Sequence, residues 1–236
     1  MACSNCAHKS IAKAPQAHMA NDQILELLLM PTSAPEVQTC KKEDGKYCTA
    51  VTKINGSISR VSALNFQSFL DSWRGEKKLK NLFIEINSPG GSVFAGFDMY
   101  NALKEFKAEK NVTVHCAVNG MGASMAFFML QGCDVRAMTK TSMLIAHNPS
   151  LTLQEDANLN LFTLKQYEDE LQTIMEISNN VISERMGMPV EKYRAQIEGK
   201  DWNMNYISGK KANAIDFVIP TVFQYVKSIK DNNKAK

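Results

Sequence analysis

Apolar residues recur at helical spacing in "VSALNFQSFLDSW", where Phe66, Phe69, Leu70 and Trp73 share one face, and this predicts an amphipathic helix. The preceding "CTAVTKING" and the following "NLFIEIN" read as strands, the second one buried. Val93, Phe97, Tyr100 and Leu103 mark the next helix, and the β-branched run "VTVHCAV" another strand. "SMAFFML" opens a helix that is apolar all round and so must be buried. "DVRAM" and "SMLIAH" give short strands. A long helix is expected from about Leu159 to Met186, with Leu164, Tyr167, Leu171, Ile174 and Val181 in a stripe and Gly187 and Pro189 ending it. A last helix covers "PVEKYRAQI".

Strands alternating with helices imply an α/β domain with largely parallel strands. It is assigned to residues 46–228. Residues 1–45 mix Cys, Ala, Pro and Lys with the run "ILELLLM" and read as an N-terminal arm or extension. Residues 229–236 read as a frayed C-terminal tail.

With 236 residues, 44% hydrophobic and 22% charged, the chain fits one globular domain with an added arm. A net charge of +3 in scattered clusters forms no basic stripe with interleaved aromatics, so no nucleic-acid partner is expected. The most apolar stretch, "VNGMGASMAFFML", is too short and too polar to span a bilayer, so no membrane partner is expected either. "MACSNCAHKS" lacks the apolar core of a signal peptide, which makes a cytoplasmic location with reduced thiols the expectation. Of the six cysteines, Cys116 and Cys133 sit in apolar segments and read as small core hydrophobes. Cys3 and Cys6 form a C-x-x-C pair. Cys40 and Cys48 are spaced wrongly to complete a zinc ribbon, so neither a metal nor a cofactor is expected.

Two turns carry candidate chemistry. In "INSPGGSVFAGFDMY" a strand gives way to a helix through Gly90 and Gly91; glycine permits a sharp turn and close approach to the main chain. In "NGMGASMAFF" a buried strand ends in a cramped turn with Ser124 at the mouth of an apolar helix. Unpaired N–H groups in the first turn of a helix, here that of Met125, suit an anionic oxygen. Ser124 is therefore either a helix N-cap or a nucleophile on an elbow-like turn. A serine nucleophile needs a base. Of four histidines, His8 and His18 lie in the arm and His115 lies within a strand as a structural residue. His147 ends the strand "SMLIAH", where α/β sheets build their sites.

"INSPGG", then "GMGAS", then "IAHNP", in that order, resemble the ClpP family of serine peptidases, over about Ile54 to Ile219. The resemblance implies a spiral of β-β-α units with a projecting long helix through which rings of identical subunits interlock. It implies Ser124 as nucleophile, His147 as general base, and the backbone N–H groups of Gly91 and Met125 as the oxyanion hole. The third triad member is less legible. Ungapped, the acid falls on Met204, which cannot serve; a small insertion brings in Asp201, with Asn203 as the other candidate. Asp216 stands where the family usually has Gly. The stretches "INGSISRVSALNFQSFLDSW" and "INSPGGSVFAGFDMYNAL", with the polar insert "SLTLQEDANLN", look most like the phage head maturation branch, whose partners are capsid proteins. The alternatives are a housekeeping subunit working with a Clp-type ATPase, or a ring-forming relative without the chemistry. In the first two cases the substrate is a polypeptide.

Overall fold

The computed structural model describes residues 47–151 and 159–234, all within the compact unit Val37–Lys236. The expected N-terminal arm, with Cys3, Cys6 and Cys40, and most of the polar insert lie outside the described residues.

Among the described residues seven strands form one sheet: β1 (Cys48–Asn55), β2 (Leu79–Ser88), β3 (Thr113–Ala123), β4 (Val135–Thr139), β5 (Met143–Ala146), β6 (Trp202–Met204) and β7 (Phe217–Ile219). The order β1-β2-β3-β4-β7 is parallel throughout, and β5 pairs parallel with β3 and antiparallel with β6. The helices of the described residues are α1 (Arg60–Arg74), α2 (Val93–Lys110), α3 (Met125–Gln131), α4 (Leu161–Met186), α5 (Val190–Ile197), α6 (Tyr206–Lys211) and α7 (Val222–Lys234). This is the mixed α/β architecture, with a mostly parallel sheet, that the alternation of elements predicts.

Strand β2 explains how the sheet is covered. Leu82, Ile84 and Ile86 are fully buried with the apolar faces of α1 and α2. Phe83 is equally buried with Ala117, Ala137, Ile219 and Ile229 in a second cluster. Val222, Tyr225, Val226 and Ile229 of α7, at helical spacing, belong to that cluster. Helix α7 runs to Lys234, into the stretch expected as tail, with Ile229 buried.

The cysteine expectation also changes. Cys116 on β3 and Cys133 are joined in a disulfide, their Cα atoms 5.9 Å apart. The reason is topological: α3 returns the chain so that β4 pairs with β3, which sets Cys133 beside Cys116. His115 is the structural residue expected. Its Nε2–H donates to Asn81 Oδ1 at 3.3 Å and its Nδ1 accepts from the Tyr225 hydroxyl at 2.8 Å, while burial lowers its pKa. Asp216, itself partly open to water, forms an ion pair with the buried Arg136. The Arg136 side chain is fully buried and its Nη2 donates to Asp216 Oδ1 at 2.7 Å, with further bonds to Gln131 and Asn213. Burial pushes the Asp216 carboxyl up, but the hydrogen bonds and charge of Arg136, with Arg185, together hold it below its usual value.

Candidate active site

The site is built where β3 changes neighbours. His115–Val118 pair with β4, whereas Met121–Ala123 pair with Met143–Ile145 of β5. The next residue, Ser124, donates its N–H to the carbonyl of Ile145 at 2.9 Å. This tether holds Ser124 beside the end of β5, two residues short of His147.

Ser124 caps α3 with φ 53° and ψ −122°, a backbone conformation rare for a residue with a side chain. Its hydroxyl makes no capping bond. A serine N-cap normally spends its oxygen on the first turn of its helix. The N-cap reading of Ser124 is thus not what its side chain does, and strain of this kind gathers at functional sites.

The glycine turn packs directly on this elbow. A Cβ on Gly90 (φ 93°) would stand 2.6 Å from Ser124 Cβ and 2.9 Å from the Met125 nitrogen. Only glycine fits there. Gly91 (φ 145°) bridges to Ile58, and a Cβ on it would collide with the Ile58 carbonyl. Ile58 N–H donates to Gly90 O at 2.7 Å, and Ser92 N–H donates to Ile58 O at 2.8 Å. In such a parallel bridge the bonds use residues 90 and 92, so the N–H of Gly91 itself faces away from Ile58.

A cavity opens beside the elbow, lined by Ser124, Met125, His147, Ser178, Asn179 and, among apolar groups, Phe127 and Ile182. It therefore gathers the predicted nucleophile and base from β3–α3 and β5, and adds a wall from α4. Buried Tyr193 also lines it, its phenol held well above the usual value by burial. His147 Nδ1 lies 2.6 Å from the Asn148 carbonyl. A carbonyl only accepts, so the proton sits on Nδ1 and the lone pair on Nε2.

Asp201 is exposed, at the position before β6. Ala146 pairs with Trp202 and Ile145 with Asn203 in the antiparallel β5–β6 ladder. Continuing that register by one residue sets Asp201 opposite His147. Asn203 is exposed further along the strand, and Met204 is fully buried. The hydrogen bond recorded at His147 Nδ1 goes to Asn148, not to either candidate.

The Clp protease family model matches residues 50–221, which include the glycine turn, Ser124, His147 and Asp201. The chain belongs to the Clp protease family. It is 30% identical over 156 residues to a protein of Gloeobacter violaceus named ATP-dependent Clp protease proteolytic subunit 1, a match spanning 64% of this chain and 72% of that protein. Membership of the Clp protease family makes it a serine peptidase, a hydrolase, by class. Two polar residues of this Clp protease escaped the sequence reading. Asn179 follows the buried spacing of Ile182 and Met186 on α4, so a carboxamide stands in an apolar face; that spacing was available from the sequence. Asn148 gives no such signal, since what it offers His147 is a backbone carbonyl, which every residue carries. Among the described residues no helix is long and apolar enough to cross a membrane.

Proposed function

We propose that the chain is a serine endopeptidase in which Ser124 Oγ attacks the peptide carbonyl and His147 Nε2 takes its proton. The N–H groups of Gly91 and Met125 receive the oxyanion, and Asp201 orients the imidazole and stabilises its cation. One observation carries this reading: Ser124 sits in a strained conformation at a helix mouth, its hydroxyl free of the capping bond, on a cavity it shares with His147. The tautomer set by the Asn148 carbonyl leaves Nε2 as the basic atom, as the mechanism needs. The register of β5 and β6 supports Asp201 as the acid; forming that triad asks His147 Nδ1–H to exchange the Asn148 carbonyl for the Asp201 carboxylate. A fluorophosphonate probe tests the core of it. Only an activated serine labels, so the wild-type chain should label and cleave a peptide ester, and Ser124→Ala should lose both, with turnover down by about 10⁶-fold. Labelling that survives in Ser124→Ala places the nucleophile elsewhere.

For the branch, we propose the phage-type, capsid-processing assignment, supported by the two stretches and the insert quoted above. The name of the Gloeobacter violaceus relative favours a second reading, a subunit that works with an ATP-driven partner. Cleavage of an unfolded protein without any ATPase separates them, since the first reading needs no such partner. A ring of identical subunits is supported by the start of α4, where Leu161 is 88% and Phe162 70% exposed, more apolar surface than a lone subunit usually leaves in water. Sedimentation should find an oligomer at micromolar concentration.

A further inference from the structure

Strand β3 does not run evenly past its neighbours. Along β2 the register goes from Ile86↔Val118 to Ser88↔Gly122, so β3 carries extra residues in a bulge. On its other edge β3 leaves β4 after Val118 and joins β5 at Met121. Asn119 and Gly120 fall in the gap, in no ladder pair. Backbone groups at such a place lose their strand partners and must find others.

One hydroxyl supplies them. Ser142 is the residue before β5 and is buried. Its Oγ accepts from Gly120 N–H at 2.9 Å and donates to the Val118 carbonyl at 2.9 Å. With its proton spent there, the Thr139 hydroxyl, 2.6 Å away, donates to it. The one donor and both lone pairs of Ser142 are thus all used. Asn87 of β2 clasps the bulge from the other side, its Oδ1 accepting from Met121 N–H at 3.1 Å. Gly120, at φ 114°, is required, because a Cβ on it would stand 2.5 Å from that same oxygen.

We propose that Ser142 is a positioning residue for the peptidase reaction: its hydroxyl pins the register of β3 against β5 and so sets Ser124 and His147 relative to each other. The proposal rests on the reading of those two as nucleophile and base. Gly120 and Ser142 occupy the row just before Met121↔Met143, where the β3–β5 ladder opens. That ladder ends at Ala123↔Ile145, and beyond it come Ser124 on one strand and His147 on the other. A slip of one residue moves His147 by about 3.3 Å and turns the faces of β5 over. The reaction tolerates far less, since a misplacement of about 1 Å costs on the order of 10²-fold in rate. Ser142 does not line the cavity, so it acts through the backbone it holds.

The test uses the full chain, a small chromogenic ester and fluorophosphonate. Ser142→Ala should lower kcat on the order of 10²-fold with KM unchanged, and slow labelling in parallel. Ser142→Thr restores the hydroxyl and should recover most of both rates. Ser142→Ala also loses stability, so Asp216→Asn, which weakens the β4 side of the same fork, is the control; it should melt lower and keep its kcat. Wild-type kcat in Ser142→Ala, a rise in KM at constant kcat, or Ser142→Thr as slow as Ser142→Ala overturns the proposal. An equal fall of kcat in Asp216→Asn overturns it too, by giving lost stability as the cause. If Ser142→Ala does not fold, Thr139→Val removes one of the three bonds and should lower kcat by a smaller factor at constant KM; an unchanged kcat there is a refutation. A wild-type chain that does not label removes the reading of Ser124 first, and this proposal with it.

Discussion

Two polar clusters flank the fork in β3, and they are built on opposite rules. On the β4 side, buried Arg136 spends its donors on Asp216, Gln131, Asn213 and the Arg185 carbonyl. On the β5 side, Ser124 is strained and uncapped, and Asn179 and Asn148 each keep a buried atom unpaired. The first cluster is complete within the chain and holds β7 to the sheet, since Asp216 precedes that strand. The second leaves polar atoms that the chain itself does not pair. Satisfied polar networks specify a fold, whereas local violations of the packing rules mark where a fold does its work.

The largest effect that would sharpen this contrast is at the acid. Asp201→Asn should lower kcat for a small ester by about 10⁴-fold with labelling slowed in parallel, because an amide cannot stabilise the imidazolium and favours the wrong tautomer. Asn203→Ala should do much less. Were Asn203→Ala the inactive one, the register drawn from β5 and β6 would be off and the triad would end in Asn. With both variants active, the acid assignment fails.

Next in size is the glycine turn. Gly90→Ala puts a methyl group against Ser124 Cβ and the Met125 nitrogen, so the elbow must shift. A displacement of about 1 Å costs on the order of 10²-fold in rate, so kcat should fall by at least that much, and the melting temperature should fall with it because the clash is with buried backbone at a positive φ. Normal turnover would show that the two turns do not need this contact.

The complete cluster should answer in stability and not in rate. Asp216→Asn strands the buried Arg136 charge, and the expected loss is about 3 kcal/mol, the low end for such a pair because Asp216 is itself partly open to water. Denaturant unfolding measures it. The smallest effect is its pH dependence. The folded carboxyl titrates below its ordinary value, so its stabilisation is full above about pH 4 and is lost as pH falls through the folded pKa. Asp216→Asn should flatten that part of the profile. An equal acid sensitivity in the variant would assign it to other carboxylates.

How much of this was legible beforehand follows from the range of each interaction. Helix α1 was readable because Phe66, Phe69, Leu70 and Trp73 are all buried, as their spacing requires. Helix α2 was readable as a helix, but its deepest stripe is Met99, Leu103 and Phe106, with Val93, Phe97 and Tyr100 packed at its edge. Sheet neighbours decided that rotation. Helix α7 is equally periodic, but no helix is read there from the sequence and only its residues from 229 on fall in the expected tail; its packing partner, Phe83, lies more than a hundred positions away in the chain. The acid was hardest to read because the resemblance, taken without a gap, lands "KDWNMN" on Met204, and only the pairing of β5 with β6 offers a register for choosing between Asp201 and Asn203.

The sequence by itself determined the order of elements, the α/β class, the two glycine-rich turns and the order of Ser124 and His147. Each of these is written in contiguous residues, through side-chain periodicity and the steric freedom of glycine. Only the tertiary structure decided that β3 forks, that Ser124 is tethered to Ile145, that Cys116 meets Cys133 and that Arg136 meets Asp216, 80 residues on. Those contacts join segments whose encounter depends on which strands pair. Strand pairing is settled by the burial of whole faces, and no local stretch carries that information.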